Sequence, residues 1–285
     1  MSPARRTNGP ACLLAAWLAL LPAGAAAPAR AEEALFPDLT PEQEDTALFV
    51  LGGTLLATYF LAANAVIDRL GLPLHGDRGD AAASLVTVWL ATDNPDALRA
   101  ELAASAIDAW TEALNAIDAG RPVAVFWRSP GLDAFRRDRA VCRLAGSDPE
   151  GFRDYARGQG LTADQLNACA LEFRRARSRW LELLGPWLRA PDETAGDARI
   201  AIRFQPRPGD EDIVEFLQAT GVIADAMDEL ADSLRLPAGL RLTFRGCGDA
   251  GAYWNRPGDE MVVCYELVRS LETTILEARG ARPPP

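Results

Sequence analysis

The sequence predicts an α+β protein, mostly α, with a small strand region near its C-terminus. Three observations carry this. Through the first two thirds, helix-start signals recur ahead of long apolar stretches at helical spacing. From Ala190 to Asp197, "APDETAGD" mixes turn formers and charges without an apolar period, which marks a linker. Beyond it, "ARIAIRF" and "GLRLTFR" alternate apolar and polar residues with the period of two that a half-buried strand needs.

Thr40-Pro41-Glu42-Gln43 opens the first helix. Thr40 is the N-cap, Pro41 takes the first helical position, where its missing N–H is no loss, and Gln43 closes a capping box. Gly71 and Pro73 stop that helix at about Leu70. A second helix is expected over about Asp80–Leu90, and a third from Asn94-Pro95 to about Gly120. Ser147-Asp148-Pro149-Glu150 and Thr162 with Gln165 read as two further capping boxes, opening a short helix and a long one that ends near Leu184-Gly185-Pro186. After the linker come the first strand, two amphipathic helices between Asp210 and Arg235, and the strand "GLRLTFR". A hairpin of "AYW" and "EMVVCY" about the turn "NRPGD" follows, then a last helix from about Glu266. Residues 32–189 thus form a helical part, 198–280 a strand and helix part closing the same domain, and 281–285 a disordered tail.

Composition narrows the function. The chain has 285 residues, 49% hydrophobic and 24% charged, a globular balance with room for a sizeable core. All 29 basic residues are arginine, against 40 acidic ones, for a formal charge of −11. Such a chain repels phosphate backbones, so nucleic acid is not an expected partner.

The N-terminus has the layout of a secretory signal: Arg5 and Arg6, the apolar "ACLLAAWLALL", then Ala29-Arg30-Ala31 as a cleavage site. The apolar stretch is shorter than the ~20 residues that span a bilayer. Residues 1–31 are therefore read as a signal peptide cleaved near Ala31, which places the mature chain in the periplasm or outside the cell; an uncleaved anchor is the alternative. Export removes Cys12 and leaves Cys142, Cys169, Cys247 and Cys264, which allow three disulfide pairings. Sequence proximity favours Cys142 with Cys169 and Cys247 with Cys264. Zinc held by the four is disfavoured, because no C-x-x-C spacing occurs and the single histidine, His75, is distant in sequence.

The run from Thr46 to Ile67 carries no charge and is long enough to span a membrane. Thr54, Thr58 and Asn64 inside it, acidic residues at one end and no basic cluster to set topology favour a buried core helix instead. Two stretches then resemble one family. "FVLGGTLLATYFLAANAVIDRLGLPLHGDRGDAAASLVTVWL" and "GCGDAGAYWNRPGDEMVVCYEL" are similar to segments of an exported bacterial family of putative zinc metallopeptidases, known mostly as a domain of unknown function. "VCRLAGSDPEGF", followed by Cys169 and Trp180, resembles the segment between them, so the resemblance extends from about Ala47 to Leu271.

The resemblance implies a zincin-like helical part whose first helix carries H-E-x-x-H. Histidines at i and i+4 share a helix face and hold zinc, and the glutamate is general base toward a metal-bound water. Aligned on Phe49-Val50-Leu51-Gly52 and Ala65-Val66-Ile67-Asp68, that motif falls on Phe60-Leu61-Ala62-Ala63-Asn64. Both histidine positions, Phe60 and Asn64, and the glutamate position, Leu61, are changed. An acidic E-E-D-A-A-D stretch, implied to supply a third ligand and a supporting carboxylate, reads Arg78-Gly79-Asp80-Ala81-Ala82-Ala83, with Gly79 and Ala83 altered. A further family histidine falls on Pro130 in Arg128-Ser129-Pro130-Gly131-Leu132-Asp133. A chain with one histidine cannot form H-E-x-x-H in any register.

Other candidates are weaker. His75 could pair with Asp77 or Asp80 as a general base, but a lone histidine in a glycine-containing turn reads as a surface residue. Asp77, Asp80 and Asp249 lack the spacing of a calcium loop. Glu266 reads as a structural cap where a strand meets a helix. No G-x-S-x-G elbow occurs, and no phosphate loop, since G-K-[ST] and lysine are both absent. The expectation is an exported metallopeptidase homologue that has lost its zinc and base residues, holds no cofactor, and binds or scaffolds an unknown protein or peptide partner. The alternatives are an active metallopeptidase or other hydrolase using an unrecognised site, and a membrane-tethered accessory protein.

Overall fold

The first helix forms as its capping box requires. In the computed structural model, which describes residues 36, 38–74, 76–91, 95–190, 193 and 198–280, α1 spans Pro41–Arg69. Thr40 Oγ1 accepts from the Gln43 N–H at 3.3 Å, and the Gln43 side chain accepts from the Thr40 N–H at 3.0 Å. The expected signal segment, His75, most of the linker and the tail lie outside the described residues. Two further helices follow, α2 over Arg78–Leu90 and α3 over Ala97–Asp118, N-capped by Asp77 and Asp96. Next come α4 over Ala134–Ser147, α5 over Arg153–Gly158 and α6 over Ala163–Leu184, the last opened by the Thr162–Gln165 capping box.

The expected capping box at Ser147 does not form. Ser147 instead ends α4, its hydroxyl donating to the Leu144 carbonyl at 2.7 Å. Asp148 takes the local acceptor role, bonding the Gly151 N–H at 3.0 Å, and closes a turn before α5 begins. The short polar side chain one residue later competes successfully for the backbone, and Pro149 fits the turn it makes.

The C-terminal part is β1 (Ile200–Gln205), α7 (Glu211–Thr220), α8 (Val222–Ser233), β2 (Leu240–Arg245), β3 (Ala252–Asn255), β4 (Glu260–Cys264) and α9 (Tyr265–Ala278). The sheet order is β1-β2-β4-β3, with β1 and β4 parallel to β2 and the β3–β4 hairpin antiparallel. Leu242, Phe244, Met261, Val262 and Val263 of the two inner strands are fully buried, as strands covered on both faces require. With 65% of the described residues in helices and one small sheet, the fold is α+β and mostly α.

The described residues make one compact unit with α1 at its centre. α3, α2, α9, α8 and the β3–β4 hairpin all pack on α1. Gly52 and Gly53 permit the closest of these approaches. A Cβ on Gly52 would lie 2.7 Å from the Ala106 nitrogen of α3, and one on Gly53 would lie 2.6 Å from Leu271 of α9. Three polar side chains of the uncharged run bond back to the helix itself. Thr54 donates to the Val50 carbonyl at 2.7 Å, Thr58 to the Thr54 carbonyl at 2.8 Å, and the Asn64 amide to the Phe60 carbonyl at 2.8 Å. The helix is long and apolar enough to cross a membrane, yet 94% of its most apolar window is buried within the protein, so core packing accounts for its composition.

Two disulfides staple the fold, in the pairing that sequence proximity favours. Cys142–Cys169 joins α4 to α6, and Cys247–Cys264 joins the β2–β3 loop to the end of β4.

Asp68 fixes the C-terminal end of α1. Its carboxylate, 3% exposed, accepts from Trp254 Nε1 and Arg256 Nη2, each at 2.8 Å, and pairs with Arg78. Burial pushes this carboxyl up, but hydrogen bonds from Arg78 and Trp254 and the charges of Arg78 and Arg256 outweigh it and hold it below 3.8. Its contribution to stability is therefore complete above the unfolded-state value and is lost as pH falls through the lower folded-state one. Asp68→Asn should cost about 2 kcal/mol near neutral pH, and the gap from the parent should close as the solution is taken to about pH 2. Urea melts at both pH values check this; an unchanged gap would contradict it.

Candidate functional site

The three α1 positions that the resemblance assigns to the metal motif lie in or beside the core. Phe60 and Leu61 are 6% and 3% exposed. The Phe60 ring meets Phe126 edge-on, with centroids 5.9 Å apart and planes at 83°, and Phe126 packs in turn on Trp127 at 5.0 Å. Phe126 and Trp127 belong to a single 3-10 turn, Val125–Arg128, that follows α3. Both are buried, as are Leu132 beyond them and Ala83 of α2. All of these except Asn64 belong to one continuous hydrophobic core. Asn64 is half-buried, and its amide nitrogen is already engaged by the Phe60 carbonyl.

Gly79 and Pro130, far apart in sequence, meet backbone to backbone. A Cβ on Gly79 would lie 2.6 Å from both the carbonyl carbon and oxygen of Pro130. Gly131 returns the contact: its φ of +99° is open to glycine, and its own Cβ position runs into the Gly79 carbonyl. One altered position of the expected acidic stretch and the expected further histidine position are thus neighbours, joined by close backbone packing.

The chemistry of these six positions does not fit zinc. A zinc site of this kind takes three nitrogen, sulfur or oxygen donors and keeps a place for water. Phe60, Leu61, Gly79, Ala83 and Pro130 carry no side-chain donor, and Asn64 is a poor ligand already bonded within its helix. Asp80 pairs with Arg136 of α4, which also pairs with Asp133 and lies 3.7 Å from Asp77. Asp77 serves as the α2 N-cap, accepting from the Asp80 N–H at 3.1 Å. Asp249 lies in the β2–β3 loop.

Cys247, Cys264 and Glu266 bring potential donor atoms within 4.8 Å of one another, but the two sulfurs are bonded together. Glu266 accepts from the Gly248 N–H at 2.7 Å, the Cys247 N–H at 3.1 Å and Arg207 Nη2 at 2.7 Å. Burial pushes this carboxyl up, while the bonds from Cys247, its own backbone, Gly248 and Arg207 bring it below the usual range. It clamps the loop after β2 to the first turn of α9.

Two charged clusters were not singled out in the sequence. In the first, the Arg143 side chain, 6% exposed, donates to Thr87 Oγ1 at 3.2 Å and to Glu172 Oε1 at 2.9 Å through Nη2 and 3.2 Å through Nε. Arg139 Nη2 bonds the same Glu172 oxygen at 2.8 Å. Burial and the neighbouring Arg139 charge push the Arg143 guanidinium down from its ordinary pKa. The spacing of Glu172, Arg175 and Arg179 on one face of α6 was the available signal. In the second, the half-buried Asp108 of α3 accepts from the Tyr155 hydroxyl and the Gln159 amide, each at 3.1 Å. Burial raises its pKa, the nearby Glu112 charge adds to that, and the two hydrogen bonds only partly offset it.

The model of a family described as "Putative metallopeptidase" matches residues 30–184 and 205–282. No curated protein matches the chain, and no solved structure does.

The contact of α2 with the loop after α3 gives a direct test. Alanine is the better helix former by about 1 kcal/mol, so Gly79→Ala would stabilise an open site. Against the Pro130 backbone it should destabilise by about 1–3 kcal/mol. Chemical denaturation of the two proteins decides, and a stabilised variant would contradict the contact.

Proposed function

The chain belongs to the putative metallopeptidase family, and from that premise we propose that it is an exported member without zinc catalysis, acting by binding or scaffolding a protein or peptide. The observation that carries this reading is the burial of Phe60 and Leu61 in the core, with the Phe60 ring on Phe126, where the resemblance would put a ligand and a base. Hydrolysis by a zinc-bound water needs donors, a base and access for substrate; this region offers packed rings and a glycine–proline contact. Loss of the ligands lets α1 close with its neighbours as an ordinary core helix.

The two disulfides support an oxidising compartment, and the signal-like residues 1–31 support export to the periplasm or beyond. A soluble protein released by carbonate washing is the expected form; one retained in the membrane would favour the tethered accessory role.

A second reading, hydrolysis by carboxylates, has one observation in its favour. Asp108, with its raised pKa, and Glu112 one turn later border a cleft of about 370 Å³. Tyr155 and Gln159 already engage Asp108, which suits a structural carboxyl equally well.

Purified protein should contain zinc far below one equivalent and show no peptidase activity on unfolded protein substrates. Elemental analysis and a fluorogenic peptidase assay check both. Stoichiometric zinc with activity abolished by a chelator would overturn the proposal. Activity that survives the chelator and disappears in Asp108→Asn would establish the carboxylate reading instead.

A further inference from the structure

We propose that the cleft between α2, α4 and α6 is a binding site for a small amphipathic anion, its carboxylate or phosphate oxygens held by Arg175 and Arg179. The cleft measures about 290 Å³, room for a small molecule but not for a folded partner. Four arginines line it, Arg139, Arg143, Arg175 and Arg179, against two acids, Asp80 and Glu172. This is a local excess of positive charge in a chain of net −11.

Neither acid pairs with the outer arginines. Asp80 is paired with Arg136, and a single oxygen of Glu172 serves both Arg139 and Arg143. Arg175 and Arg179 make no ion pair among the described residues, and they sit three and seven residues beyond Glu172 on the same face of α6. Behind them, Arg143 is nearly enclosed and shares its one carboxylate oxygen with a like charge. A buried cation so compensated is costly, and an incoming anion would relieve it. Guanidinium forks match the planar edge of a carboxylate or the oxygens of a phosphate, with two parallel bonds available to each.

The walls are fixed before any ligand arrives. Trp180 Nε1 donates to Ser84 Oγ at 3.0 Å, bracing α6 on α2. Thr87 holds Arg143 from the α2 side, and Cys142–Cys169 ties α4 to α6. Leu74, Ala81, Ala176 and Leu183 supply an apolar surface for the stem of the ligand. A site preorganised in this way loses little entropy on binding. Nothing in it depends on whether the chain hydrolyses peptides, so its failure would leave the preceding reading intact.

Isothermal titration of the full exported chain with hexanoate and with inorganic phosphate, using neutral hexanol as control, tests the site. At least one anion should bind at a single site, more weakly as salt is raised, while hexanol should not bind. Tighter binding of hexanoate assigns the site to carboxylic acids, tighter binding of phosphate to phosphate esters, and both uphold it. The exposed double substitution Arg175→Gln with Arg179→Gln should weaken the anion by roughly tenfold or more, with an unchanged circular dichroism spectrum. Absence of binding by both anions, equal binding of hexanol, or an affinity untouched by the double substitution would overturn it.

Discussion

The rest of the structure depends on enclosing one long uncharged helix. A helix that presents no charge from Thr46 to Ile67, about 33 Å of its length, has to be covered on every side, and the polar groups buried with it have to find partners within the fold. α1 meets both conditions: Thr54, Thr58 and Asn64 bond back to carbonyls of α1 itself, and four helices and a hairpin cover its flanks. Gly52 and Gly53 set how near two of those neighbours come. Asp68 and Arg69 then end the buried run by tying it to the hairpin. Arg69 donates to the Arg256 carbonyl at 2.9 Å and lies over the Trp254 ring at 5.7 Å.

Closure of this core and the loss of metal chemistry are one packing solution on the proposed reading. Histidines and a glutamate at the Phe60, Leu61 and Asn64 positions would demand water, metal or charged partners at the same point where Phe126 and Trp127 now sit. A carboxylate side chain at Gly79 would displace the Pro130 backbone. These substitutions reinforce one another, because each removes a polar demand that the others could no longer meet. The charged chemistry that remains lies on other faces of the same helices, in the arginine cleft beside α6 and at the Asp108 carboxyl of α3.

What the sequence disclosed were the features set by neighbouring residues. Thr40 with Gln43 and Thr162 with Gln165 announce their helices because a capping box is a contact across three positions. The strands after Ile200 announce themselves by alternation, and the short separations within the two cysteine pairs pointed to the disulfides that form. Ser147 misled because Asp148 and Pro149 satisfy a competing turn in the same residues. The meeting of Gly79 with Pro130, the Phe60–Phe126 contact and the fan of donors on Asp68 were not legible. Each joins segments that only the tertiary fold brings together, and none leaves a local pattern. The arginine cleft was missed in the sequence: the spacing of Glu172, Arg175 and Arg179 offered a signal, but the uncompensated charge depends on which acids Arg136, Arg139 and Arg143 engage.

The central claim, that the part of α1 where the resemblance would place a metal site is a closed part of the core, is tested most directly by native-state hydrogen exchange of α1. Amides from Leu55 to Val66 should exchange only through global unfolding, with the same free energy and denaturant dependence as the whole protein. Faster exchange confined to the residues around Phe60 and Asn64, with little denaturant dependence, would reveal an opening cleft and contradict the account.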